Sequence, residues 1–138
     1  MQTSFTDKQL LDKDNKSSES ILRKCVHCGM CNATCPTFCV NGEELEGPRG
    51  RIYLIKDMLE NKKPANKKVV KHIDSCLSCY SCMTTCPSGV NYMHLIDHGR
   101  NYVEETYKRP FFDRLFRNVL SFVLPRPKVF LALAHLSK

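Results

Sequence analysis

The residues able to do chemistry stand in two runs of one pattern. The first is Cys25-Val-His-Cys28-Gly-Met-Cys31-Asn-Ala-Thr-Cys35-Pro36, the second Cys76-Leu-Ser-Cys79-Tyr-Ser-Cys82-Met-Thr-Thr-Cys86-Pro87. Every cysteine of the first run has its counterpart 51 residues later. The spacing C-x2-C-x2-C-x3-C-P is the ligand pattern of a [4Fe–4S] cluster. A loop wrapped around a cube offers a thiolate every third residue, so three can reach three different irons. The fourth corner faces away from the loop and needs a ligand from elsewhere. In two-cluster proteins the cysteine before proline ligates the other cluster. The expected sets are therefore Cys25, Cys28, Cys31 and Cys86 for one cluster, and Cys76, Cys79, Cys82 and Cys35 for the other. Crossed in this way, two redox centres lie close together and the two halves are stapled.

Two other readings of the cysteines compete. Zinc also takes four thiolates, commonly as two C-x2-C pairs. A third cysteine at the next three-residue step and a closing Cys-Pro are not what tetrahedral zinc requires. Disulfides fit less well. There are nine cysteines, an odd number, and closely spaced triplets make strained bridges. Iron–sulfur ligation is the reading that uses the whole pattern.

The rest of the composition narrows the class. A chain of 138 residues corresponds to one domain, with a modest core that two clusters would partly replace, coupling folding to cluster binding. The formal charge of +7 overstates the basicity. Eight ligating thiolates and two doubly positive cluster cores would leave about +3, so the charge makes no case for nucleic acid. No run approaches the ~20 apolar residues of a membrane-spanning helix. Residues 1–24 carry acidic side chains and no apolar stretch, unlike a signal peptide. Free thiols imply a reducing compartment, the cytosol or the cytosolic face of a membrane.

Helices must deliver the chain to the cysteines. A short helix is expected around Phe5–Leu11, then a loose joint at residues 15–18. Ser18 is expected to cap a helix through Ile21 and Leu22 into Cys25. Gly29 and Ala33 keep the first loop thin, so that main-chain N–H groups can approach the sulfurs. Pro36 and Pro87 turn the chain away after the fourth cysteine. Residues 43–50 have the punctuation of a turn. Arg51 to Glu60 reads as a helix with Ile52, Ile55 and Leu59 on one face, and residues 61–68 as an exposed joint. Val69, Val70 and Ile73 have helical spacing. A long helix runs from Val90 towards Tyr107 and ends at Arg109-Pro110; further helices cover Phe111–Val123 and Val129–Leu136. The expected class is all-α, an α-helical ferredoxin rather than the small β-rich type. The expected divisions are a polar lead over 1–19, a dicluster domain over 20–109 and an apolar helical tail over 110–138. That tail reads either as docking onto something else or as the start of a longer chain.

With these residues laid out, the chain resembles the N-terminal part of the glycolate oxidase iron–sulfur subunit family. The resemblance is carried by Ser20-Ile-Leu-Arg-Lys-Cys25-Val-His-Cys28-Gly, Gly47-Pro-Arg-Gly-Arg-Ile-Tyr-Leu-Ile-Lys56, Cys86-Pro-Ser-Gly-Val90 and Val123-Leu-Pro-Arg-Pro-Lys-Val-Phe130. It implies a helical dicluster fold, similar to that of succinate dehydrogenase iron–sulfur and heterodisulfide reductase subunits. It also implies two [4Fe–4S] clusters at the eight cysteines above. The implied role is relaying electrons from a flavin-containing dehydrogenase subunit that oxidises glycolate to glyoxylate. Members continue into a second region with paired Cys-Cys-Gly motifs, and none occurs in this sequence.

Several residues outside the pattern have both a plain reading and a functional one. Cys39 is a small packed residue or free thiol, or else a spare ligand. His27, inside the first loop, points outward or tunes a potential by charge. His94 and His98 are four apart on a helix, a geometry open to metal or a quinone, but with no third ligand in view. Lys62, Lys63, Lys67, Lys68 and Lys71 make a solvated linker or steer an acidic partner. The stripe Phe112, Leu115, Phe116, Val119, Phe122 and Val123 packs in a core, or lies on a membrane as a peripheral contact or against a partner. Arg49 and Arg51 form ion pairs or donate to a cluster and raise its potential. With no nucleotide-binding glycine loop and no nucleophile beside a base, the expectation is an electron-transfer subunit, not a catalyst by itself. Related complexes acting on lactate, glycerol-3-phosphate or disulfides are the alternatives, with a zinc-held interaction module behind them.

Overall fold

Helix caps and apolar spacing build the molecule. The computed structural model describes the backbone of residues 1–136, and among them there are helices and turns but no strand. The helices in order are α1 (Asp7–Leu10), α2 (Lys13–Lys24), α3 (Pro36–Asn41), α4 (Pro48–Asn61), α5 (Lys67–Asp74), α6 (Ser81–Thr84), α7 (Tyr92–Thr106), α8 (Phe111–Val123) and α9 (Pro127–Leu136). Single 3-10 turns cover Met30–Asn32 and Glu44–Glu46. The all-α class expected from the helical spacing is the one that forms. The chain divides into two compact units, Met1–Tyr107 and a second that begins at Lys108.

In the first unit, α2, α4, α5 and α7 turn their apolar faces into one core. Leu22 comes from α2; Ile52, Ile55 and Leu59 from α4; Val70 and Ile73 from α5; Leu95, Ile96 and Val103 from α7. Each such side chain taken fully out of water contributes about 1.5–3 kcal/mol. Cys25 and Cys82 belong to the same core, so hydrophobic packing and the positions of the sulfurs are set together.

Two of the boundaries that differ from the sequence reading bear on the site. The loose joint expected at residues 15–18 is helix: Asp12 caps α2 by accepting from the Asn15 N–H at 3.1 Å. Ser18 lies inside α2, fully buried, and bonds to His98 instead of capping. Polar residues do not break a helix that has a cap at one end and Ile21 and Leu22 buried at the other. The second difference is at α4, which begins at Pro48, not at Arg51. Proline suits the first helical position because its missing N–H has no partner there anyway. Gly50 then lets α4 lie against the preceding turn; a Cβ there would stand 2.2 Å from the Glu44 carbonyl oxygen.

The linker over residues 61–68 is exposed except at Ala65, which is buried, its N–H held by Thr106 Oγ1 at 3.2 Å. Asn66 caps α5 and Asn91 caps α7.

The second unit contains α8 and α9. In α8, Asp113 pairs with Arg109, which precedes the helix, at 3.4 Å and with Arg117 at 3.2 Å. The Arg126 guanidinium lies 4.0 Å above the Phe122 ring. Phe111, Phe112, Phe116 and Phe122 are exposed. Among the described residues no helix is long and apolar enough to cross a membrane.

Candidate metal centre

Each cysteine run is entered from the C-terminal end of a helix. Cys25 closes α2, its N–H bonded to the Leu22 carbonyl at 3.1 Å. Cys76 follows α5 by two residues, its N–H directed to the Ile73 carbonyl at 3.4 Å. Both loops then bend alike. His27 and Gly29 have φ of 59° and 85°; their counterparts Ser78 and Tyr80 have φ of 52° and 57°. Left-handed backbone at non-glycine residues is costly, about 1–3 kcal/mol each, and persists where a site requires it. Its recurrence at matching positions shows the same loop geometry built twice, with glycine at only one of the four places. Cys35 precedes α3, whose first residue is Pro36, and Cys86 follows α6 and leads into Pro87.

The sulfurs gather in two adjoining cavities. One is lined by Cys25, Cys28, Cys31, Cys86 and Cys82, with Ile52, Pro87 and Val90 among its apolar walls. The other is lined by Cys35, Cys76, Cys79 and Cys82, with Arg51 and Tyr92. Each thus combines three cysteines of one run with the pre-proline cysteine of the other. Cys82 stands in the wall of both. Cys28 and Cys79 are exposed, whereas Cys25, Cys35 and Cys82 are buried.

Gathered thiols resist ionising together. Burial pushes Cys31 up to about 11, with the negative charge of Cys25 adding to it. Burial pushes Cys82 up to about 12, helped by Cys31 and Cys35. Cys79 shifts the other way, because the Ser81 N–H and hydroxyl bond to its sulfur. Such a donor set calls for a cation among the sulfurs, and a [4Fe–4S] core, cationic and sulfur-seeking, fits it.

Around the second cavity lies a buried ionic network; the sequence offers an ion pair for Arg51 but neither its partners nor its burial. Arg51 donates from Nη2 to Glu46 Oε2 at 2.9 Å, to Thr37 Oγ1 at 3.0 Å and to Ser75 Oγ at 3.0 Å. Its Nε reaches the His72 carbonyl at 2.7 Å, and its Nη1 lies 3.8 Å from Cys35 Sγ. His72 Nδ1 is 2.7 Å from the other Glu46 oxygen. Burial alone would raise Glu46; hydrogen bonds from Ser75 and His72 and the charge of Arg51 outweigh it and hold the carboxyl below its ordinary value. Glu43, Glu46 and His72 bring ligand-type atoms within 4.8 Å of one another. Glu46, however, is already committed to Arg51, so the trio is an ion-pair core and not a cation site. The Glu46 signal in the sequence was an acid within a Gly-Pro turn, indistinguishable there from a solvated one.

The remaining candidates resolve as follows. Cys39 is exposed, donates to the Ala33 carbonyl at 3.4 Å and lines neither cavity. His27 lines the first cavity; burial and the charge of Arg49 keep its pKa low. Arg49 pairs with Glu44 at 3.2 Å, half exposed. His94 and His98 have ring centroids 6.1 Å apart beside a polar groove with Asp14 and Asp97, and His98 is bonded to Ser18. Lys62, Lys63, Lys67, Lys68 and Lys71 are exposed, and Lys63 pairs with Asp57 at 3.0 Å.

Comparison with known proteins agrees with this chemistry. Residues 21–90 match the 4Fe-4S dicluster domain. The chain is 51% identical over 135 residues to the glycolate oxidase iron-sulfur subunit of Escherichia coli (strain K12), covering 98% of this chain and 33% of that protein. It is 32% identical over 117 residues to the probable glycolate oxidase iron-sulfur subunit of Bacillus subtilis (strain 168), covering 81% of this chain and 26% of the relative. It is also 27% identical over 84 residues to the mitochondrial succinate dehydrogenase [ubiquinone] iron-sulfur subunit of Candida glabrata, covering 56% of this chain and 33% of the relative. The chain therefore spans a third or less of the length of these relatives. No solved structure gives a significant match. With the cysteine pattern, the helical fold and the matched residues in agreement, the chain belongs to the 4Fe-4S dicluster domain family.

Proposed function

We propose that the chain is the electron-transfer portion of a glycolate oxidase iron–sulfur subunit. In this reading it carries two [4Fe–4S] clusters and relays electrons from a flavin-containing dehydrogenase subunit of the same complex to a downstream acceptor. The observation that carries the reading is the lining of the two cavities: three cysteines of one run meet the pre-proline cysteine of the other in each, and Cys82 stands in the shared wall. Cys25, Cys28, Cys31 and Cys86 would hold one cluster; Cys76, Cys79, Cys82 and Cys35 would hold the second. When bound, such a cluster takes up and returns one electron at a time. The chain's own residues hold the sulfurs, keep water out and set the local charge. Ile52, Pro87 and Val90 cover the first cavity. The Val90 N–H lies 3.4 Å from Cys86 Sγ. Arg100 braces the second loop, donating to Ser78 Oγ and to the Cys76 carbonyl, each at 2.6 Å.

The choice of glycolate is supported by the names of two relatives, the first at 51% identity. A reducing compartment, the cytosol or the cytosolic face of a membrane, is the reading that the thiolate chemistry supports.

The test is anaerobic reconstitution followed by pairing with the flavin subunit. The expected product holds about eight irons and absorbs broadly near ~400 nm. Addition of glycolate to the complex bleaches that band. A colourless protein with bound zinc overturns the cluster reading. Bleaching by lactate or glycerol-3-phosphate and not by glycolate overturns the substrate alone.

A further inference from the structure

The two cavities differ in what they present to the sulfurs. Beside Cys35 and Cys76, two buried side chains supply donors. Arg51 Nη1 lies 3.8 Å from Cys35 Sγ and the Tyr92 hydroxyl 3.7 Å from Cys76 Sγ. Arg51 is 1% exposed and Tyr92 4%. Arg51 cannot swing away, because its Nε and Nη2 are fixed by His72, Glu46, Thr37 and Ser75. That anchoring leaves Nη1 facing the sulfur. Glu46 balances the guanidinium charge, yet the positive end of the pair is the one turned to Cys35. The Glu46 carbonyl also stands 3.7 Å from Cys35, but the Thr37 hydroxyl already engages it at 2.7 Å.

The cavity of Cys25, Cys28, Cys31 and Cys86 is different: Tyr92 lines it too, but with its hydroxyl turned to Cys76. The donor to sulfur there is main chain, the Val90 N–H. Asn32 turns an acceptor oxygen to Cys31 at 4.0 Å. Arg49 is half exposed and paired with Glu44, so water screens its charge.

Donors to the sulfurs and positive charge nearby favour the reduced, more negative state and so raise a cluster's potential. We propose that Arg51 and Tyr92 make the Cys35/Cys76/Cys79/Cys82 site the higher-potential one of the two, so that an electron entering the domain settles there. The inference rests on the ligand sets proposed above. Arg51 and Tyr92 act through the cysteine sulfurs and are positioning residues. Electrons then enter on the side of Cys28 and leave on the side of Cys79, the exposed cysteine of each set.

The experiment is a potential titration, followed by electron paramagnetic resonance, of the anaerobically reconstituted full chain and of Tyr92→Phe, Arg51→Lys and Arg51→Gln. The wild type gives two waves. In Tyr92→Phe the upper wave falls by about threefold to tenfold in the reduced-to-oxidised ratio at fixed potential, tenfold being about 59 mV for one electron. Arg51→Gln lowers it by about tenfold or more, and Arg51→Lys by less. The lower wave stays within about twofold in each. Cys28→Ser, a ligand change in the other cavity, shifts the lower wave in chains that keep both clusters. Where Arg51→Gln fails to fold because Glu46 is stranded, Tyr92→Phe decides, since it removes one hydroxyl and no charge. Unmoved waves in Tyr92→Phe and Arg51→Lys, a fall in the lower wave, or an upper wave that answers to Cys28→Ser overturns the proposal. Wild-type iron far below about eight overturns the ligand sets beneath it; full iron with unmoved waves overturns the asymmetry alone.

Discussion

Ser18 Oγ and His98 Nδ1 lie 2.7 Å apart although 80 residues separate them in sequence, tying α2 to α7 beside the core. Burial holds the pKa of His98 below its ordinary value; Asp14, Asp12 and Glu105 pull it up and His94 pushes it further down. The folded state therefore favours the neutral ring. Its contribution to stability is complete above the unfolded value of about 6.5 and shrinks as the pH falls towards the lower folded value. Anaerobic denaturant titrations at about pH 7.5 and about pH 5.5 are expected to show this loss, and His98→Gln to remove most of it. Equal pH sensitivity in the variant would mean that other groups are responsible.

The pair Arg51–Glu46 invites a contrast with Arg49–Glu44, two residues away. The first is buried, with side chains 1% and 4% exposed; the second stands in water at 40% and 51%. Removing one partner of a buried pair leaves a charge without compensation, at about 3–5 kcal/mol, whereas exposed pairs are worth about 0–1 kcal/mol. Glu46→Ala is expected to lower the unfolding free energy by the larger amount and Glu44→Ala by the smaller. Similar midpoints for the two would show that Glu46 is solvated in solution.

Iron counting separates the cysteines. On the proposed ligand sets, Cys35→Ser and Cys86→Ser are each expected to remove at least about half of the bound iron, although the two positions stand in different cavities. Cys39→Ser is expected to keep the full complement, and Cys39 in the loaded wild type to react with a thiol-alkylating reagent. Loss of iron from the Cys39 variant would make it a ligand.

Gly50 faces main chain. A methyl group there meets the Glu44 carbonyl at 2.2 Å and Leu45 Cα at 2.8 Å, and neither can rotate aside. Gly50→Ala is expected to cost about 1–3 kcal/mol, the range for overpacking, read as a lower thermal midpoint in the loaded protein. An unchanged midpoint would mean that α4 and the turn before it separate at little cost.

Much of this was legible in the sequence because it is periodic. Ile52, Ile55 and Leu59 announce α4, Val70 and Ile73 announce α5, and the cysteine spacing announces both loops. The readings that failed share a cause. At residues 15–18 local composition suggests a joint, but Ser18 is buried against His98 inside α2; at 43–50 the turn forms before Pro48, and what the sequence hides is the burial of Glu46 against Arg51 and His72. A buried acid and a solvated one look alike in a sequence until the cation that neutralises it is found in space. The short α3 after Cys35 was missed for a simpler reason. Pro36 marks a change of direction, and proline at a first helical position serves a helix start equally well.

Cys82, Pro48 and Tyr92 belong to the walls of both cavities. On the proposed ligand sets neither compartment can be emptied without loosening the other's partition. Loading would then be all-or-none: native mass spectra of a partly supplied sample should be bimodal, with empty and full chains abundant and half-filled ones scarce. The same shared partition implies that oxidative stripping, once begun at either mouth, runs to completion rather than leaving a stable remnant.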